Sequence, residues 1–108
     1  MSYSIIVSIE FERELKLLVK KYPSLKREYK ELYESLEKNP SQGTPIGKNC
    51  YKIRFAIRSK NTGKSGGAII ITRMKIIKQT VYLLSIYDKS EQSTIADKEL
   101  ELRIKKIR

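Results

Sequence analysis

Cationic side chains are the chemistry-bearing groups that this sequence sets at regular spacing. Lys52, Arg54 and Arg58 alternate with Tyr51, Ile53, Phe55 and Ile57. A strand through residues 50–58 would turn the apolar set to one face and the cations, with Ala56, to the other. A line of three cations without an acid is either a surface for an anionic partner or the solvated side of a half-exposed strand. The stretch that follows, RSKNTGKSGGAIII, runs from Arg58 to Ile71. Gly63, Gly66 and Gly67 leave backbone bare of Cβ atoms, and Lys60 and Lys64 set cationic tips beside it. A phosphate-bearing partner suits such a turn, but a plain hairpin linker with solvated lysines accounts for the same residues. The turn is not a Walker A loop. The glycine required five residues before Gly63 is Arg58, and residues 68–71 read as strand where that loop opens a helix.

What is missing narrows the chemistry further. The chain has no histidine and one cysteine, which rules out an internal disulfide and histidine acid–base catalysis and gives no metal-ligand spacing. Cys50 lacks a histidine base and reads as a small strand residue rather than a nucleophile. Neither metal nor cofactor is expected. Lys and Arg number 23 against 12 acids, a net charge of +11, and that excess points to nucleic acid, an acidic protein or a membrane surface, or else only keeps the protein soluble. With 108 residues, one domain with a modest core is expected. No apolar run approaches the ~20 residues needed to cross a bilayer, and no basic leader is present, so a cytoplasmic location is expected.

The elements that must carry these cations can be read in order. Residues 4–9 (SIIVSI) are β-rich and suggest a first strand. Phe11, Leu15, Leu18, Val19 and Tyr22 fall on one face of a helix over about 10–22, which Pro23 ends. Ser24 can cap a second helix bearing Leu25, Tyr29, Leu32 and Leu36 and ending near Asn39-Pro40. The two helices form an α-hairpin laid on a sheet. Their exposed faces mix Lys and Glu, as in the Glu34–Lys38 pair, and carry no functional signal. Residues 41–49 are turn-rich. Strands follow at 50–58, at 68–77 and at 80–88, the last apolar on both faces and so central. Leu100, Ile104 and Ile107 mark a closing helix, with Leu102 off the stripe and Lys105, Lys106 and Arg108 in its last turn, where the helix dipole favours cations. The prediction is an α+β domain, β-α-α-β-β-β-α, with a small curved, mainly antiparallel four-stranded sheet.

Three motifs in this order resemble the RelE/ParE superfamily of toxins from type II toxin–antitoxin systems, nearest its HigB-like branch. They are Tyr51-Lys52-Ile53-Arg54, Gly63-Lys64-Ser65-Gly66-Gly67-Ala68, and the run from Tyr82 to Glu91 that contains Tyr87-Asp88-Lys89. The likeness covers nearly the whole chain. It implies a single toxin domain with a basic concave face, a cognate antitoxin, and action with the ribosome on mRNA. RelE-type members cut mRNA in the ribosomal A site without a metal, the ribose 2′-hydroxyl attacking the adjacent phosphate while fixed cations neutralise the gathering charge. By this resemblance Lys52 and Arg54 hold phosphates, Lys89 stabilises charge on the phosphate or leaving group, and Lys64 contacts RNA backbone or ribosomal RNA from the turn. Tyr87 either stacks on a base or turns inward to the core. Arg58, Lys60 and Arg73 are expected as supporting cations from their positions, without a firm match in the family.

One departure bears on activity. The arginine that the family sets after Gly-Gly-Ala is here Ile69. Isoleucine gives neither donor nor charge, and the missing clamp is worth orders of magnitude in rate. Arg73, four residues on, is ~13 Å away along the strand and too far to replace it. Either the chain is a naturally weakened toxin or the change was introduced to permit expression. Three functions are consistent with this: a ribosome-dependent mRNA endonuclease, whose cutting Ile69→Arg should raise; a non-catalytic basic module that binds antitoxin and ribosome; and a ParE-like gyrase inhibitor, which the motifs favour less. A membrane-surface role is disfavoured because the helices present mixed charge rather than a cationic face.

Overall fold

The computed structural model describes residues 2–60, Lys60 by its backbone alone, and residues 67–107. The chain opens with strand β1 (Ser4–Val7), followed by helices α1 (Ile9–Lys21) and α2 (Leu25–Lys38). Ser8 caps α1, its hydroxyl accepting from the Phe11 amide at 3.1 Å. Ser24 stands at the cap position of α2 but is itself helical and makes no cap bond. Its hydroxyl goes instead to the Glu28 carboxylate and to Ser59. Strands β2 (Thr44–Gly47) and β3 (Cys50–Phe55) follow, then a short 3-10 turn (Arg58–Lys60), β4 (Ala68–Lys75), β5 (Thr80–Asp88) and helix α3 (Asp97–Lys106).

The strands form one five-stranded sheet ordered β1-β5-β4-β3-β2. The mixed α+β architecture agrees with the sequence reading, with one strand more than predicted. Thr-Pro-Ile-Gly reads as turn, yet it pairs antiparallel with β3 through a two-residue turn in which Lys48 and Asn49 both have positive φ, the geometry that matches strand twist in tight hairpins. β1 pairs parallel with β5, Ser4 opposite Thr80, because the α-hairpin carries the chain across the sheet before β2 begins. The remaining pairs are antiparallel. β4 ends at Lys75 rather than at residue 77. A turn closed by the Gln79 amide on the Ile76 carbonyl takes over, leaving Ile76 and Ile77 exposed.

Core residues lie on both faces of the sheet. The α-hairpin covers one with Phe11, Leu25 and Leu36 against Ile53, Ile70, Val81, Leu83 and Ile86. The other face packs Cys50, Ile69, Ile71, Tyr82, Leu84 and Tyr87 against Ile95 and Leu100, with Ile104 and Ile107 at the margin. β5 is buried along its whole length, as its composition requires. Arg103 of α3 forks onto Glu14 of α1, with both guanidinium–carboxylate contacts at 2.9 Å, and donates to the Leu84 carbonyl; Glu14 also accepts from the Ser85 hydroxyl and the Ile86 amide. This bidentate pair ties α1, β5 and α3 together.

Candidate nucleic-acid interface

Register sets the cations side by side. Across β3, β4 and β5, Arg54 stands opposite Ile69, and Ile69 opposite Tyr87. Lys52 stands opposite Ile71 one row further on. Lys89 continues from Tyr87 just past the end of β5, and its amide donates to the Gly67 carbonyl at 2.9 Å. Lys52, Arg54 and Lys89 therefore share one end of the sheet face opposite the α-hairpin. The Lys52 amino group donates to the Ser93 carbonyl at 3.2 Å. Burial, then the neighbouring charges of Arg54 and Lys89, hold it below its ordinary value of 10.5. Two cations close enough to oppose the protonation of Lys52 make with it a site that an anion would relieve.

Between them lies an apolar floor. Ile69 is fully buried against Tyr87 and Ile95. Tyr87 is 5% exposed, so the inward alternative holds for it. Burial raises its phenol, with Arg54 pulling the other way, and its hydroxyl has no hydrogen-bond partner among the described residues. Gly67, just before β4, lies close against the end of β3, since a Cβ there would overlap the Phe55 carbonyl.

The other cations named from sequence stand apart. Arg58 has left the strand for the 3-10 turn, where its amide donates to Glu28 at 2.7 Å and its guanidinium approaches the same carboxylate at 3.8 Å. It faces α2, not the cationic row. Arg73 lies toward the far end of β4 and donates to the Lys48 carbonyl at 2.8 Å. It stands opposite Cys50, away from Ile69 and Arg54. The Lys60 side chain and Lys64, with the rest of the glycine turn up to Gly66, lie outside the described residues. Cys50 is buried and its thiol is raised by burial, against the pull of Arg73 and Lys48, which makes it a poor nucleophile. Among the described residues no group of His, Cys, Asp and Glu could hold a metal ion, and no helix is long and apolar enough to cross a membrane.

Tyr22 and Asp88 were not singled out from sequence as site residues. The Asp88 carboxylate accepts from the Tyr22 hydroxyl at 2.7 Å and from the Ser90 amide and hydroxyl at 2.9 and 2.7 Å. Asp88 lies within the motif quoted above, but nothing in sequence placed Tyr22 beside it.

No family model and no curated protein sequence matches the chain. Solved structures do. A mutant of E. coli toxin RelE in which two arginines are replaced by alanine, in the free state, superposes with a TM-score of 0.62 at 17% identity, all of both chains being covered. The isolated E. coli RelE toxin gives 0.56 at 20% identity over 99% of this chain and 100% of that one. The toxin–antitoxin complex RelBE of E. coli gives 0.52 at 19% identity over 81% and 96%. At such low identity the likeness is one of architecture, and on that ground the chain has the RelE-type toxin fold.

Proposed function

We propose that the chain is the toxin of a toxin–antitoxin pair and acts on mRNA at the ribosome, cutting it without a metal. The carrying observation is the row of Lys52, Arg54 and Lys89 gathered at one end of a sheet on a RelE-type fold. The chemistry follows from what the row can supply. Attack of a ribose 2′-hydroxyl on the next phosphate gathers negative charge on the phosphoryl oxygens and on the departing 5′-oxygen. Fixed cations stabilise that charge without needing to reorganise. A Lys52 held below the ordinary lysine range also gives up its proton more readily, which suits protonation of the departing 5′-oxygen. An antitoxin partner agrees with the net charge of +11, which an acidic segment would cover, and with the antitoxin bound to RelE in the E. coli complex.

A second reading, binding to antitoxin and ribosome without cutting, is favoured by one observation. Ile69 belongs to the buried apolar floor, so the row lacks its central guanidinium. Primer-extension mapping of mRNA from cells making this chain, beside Lys52→Ala/Arg54→Ala and Ile69→Arg forms, tests both. Cuts within translated regions that disappear in the double substitution support the nuclease, and Ile69→Arg should strengthen them. No cuts from either form, with ribosome co-sedimentation retained, supports the binding module. Absence of both overturns the two readings.

A further inference from the structure

The turn that carries Lys89 is anchored more heavily than a surface turn requires. Asp88 closes β5 opposite Ala68, and its side chain is 2% exposed. One carboxylate oxygen accepts from the Tyr22 hydroxyl at the end of α1, and the other holds the Ser90 amide and hydroxyl. The Asp88 carbonyl accepts from the amides of Glu91 and Gln92. Lys89, between these points, is pinned by its amide to Gly67, and the far side of the turn is held where Ser93 accepts from Lys52. Lys21, next to Tyr22, pairs with Glu91 at 2.9 Å. That pair is more than half exposed on both sides and contributes little. The contacts from the buried carboxylate are the strong ones, being charge-assisted and shielded from water.

We propose that Asp88, braced by Tyr22, is a positioning residue that fixes the turn after β5 and so holds Lys89 beside Lys52 and Arg54. Its bearing on RNA cleavage rests on the toxin reading above, whereas the placement of Lys89 does not. A lysine side chain has about 2 kcal/mol of rotamer freedom, so a cation set on a loose turn would move away from two like charges. The brace opposes that movement by fixing the backbone on either side of Lys89. It also joins α1, on one face of the sheet, to a turn that serves the other.

The test reads the amino group of Lys52 by NMR titration of lysine-labelled protein, because Lys89 is one of the charges that depress it. Asp88→Ala and Asp88→Asn remove the same charge, but only Asn keeps hydrogen-bonding atoms at the site. If the brace places Lys89, Lys52 titrates higher in Asp88→Ala than in Asp88→Asn. Tyr22→Phe, which changes no formal charge, shifts Lys52 upward from wild type, and adding Lys89→Met to it has little further effect. Equal titration in the two Asp88 variants, with Tyr22→Phe matching wild type, overturns the proposal. Should Asp88→Ala fail to fold, Tyr22→Phe against wild type decides. In the cleavage assay Asp88→Ala lowers the rate as Lys89→Ala does, and the two together cost no more than one. A wild-type chain that cuts nothing removes the toxin reading while the titration still decides the placement.

Discussion

At the scale of single residues, Lys52 and Ile69 define the site from opposite sides. In the folded chain the charged form of Lys52 is disfavoured, so between its lowered value and 10.5 the unfolded chain binds more protons. Raising pH through that window therefore favours folding, while below it the cost of the charge is fully present. Anion binding runs the other way, since it needs the charge. Affinity for single-stranded RNA, followed by fluorescence anisotropy, should fall as pH rises through the Lys52 value, before ordinary lysines titrate. In Lys52→Met that step should be absent. Ile69→Arg would set a guanidinium among Tyr87, Ile95 and three cations. With no carboxylate in the row, the substitution should cost about 3 kcal/mol in denaturant unfolding, and an RNA oligonucleotide should restore part of that through linkage. Strand alternation made Lys52 and Arg54 legible from sequence. The burial of Ile69 was not, because Ile95 comes from a turn that no periodicity marks.

At the scale of elements, close backbone approach matters more than side-chain type. Gly67 begins the run into β4 with no space for a Cβ beside Phe55, and its carbonyl also receives the Lys89 amide. Gly67→Ala should force β3 and β4 apart at that end and lower stability by about 3 kcal/mol, with a drop in the thermal midpoint on the order of 10 °C. The same opening should loosen Lys89, so RNA affinity should fall beyond what instability explains when measured well below the midpoint. The helices and β5 were legible because their apolar spacing is long and regular. β2 was not, since four exposed residues give no burial pattern and Pro45 and Gly47 read as turn. The end of β4 was misread because Ile76 and Ile77 continue the apolar run into an exposed turn.

At the scale of the molecule, charge is distributed unevenly. Residues 39–96 hold ten basic residues against Asp88 and Glu91 alone, while the α-hairpin nearly balances its charges. Of those two acids, Asp88 is turned to Tyr22 and Ser90 and Glu91 to Lys21, which leaves the cationic row without an acid of its own. Single-strand binding should therefore depend on salt, log K falling with log salt at ~0.7 per phosphate engaged. Three cations give a slope near −2, and Lys52→Ala/Arg54→Ala should bring it to roughly −0.7; an unchanged slope would place binding elsewhere. The parallel pairing of β1 with β5 has a consequence in time. Ser4 waits for Thr80, so the first strand made has no partner until the fifth has emerged from the ribosome. The central strand that joins both halves of the cationic row also arrives late. A chain in synthesis cannot assemble Lys52, Arg54 and Lys89 until translation has passed Lys89, so the cationic site stays unformed through most of the chain's own production.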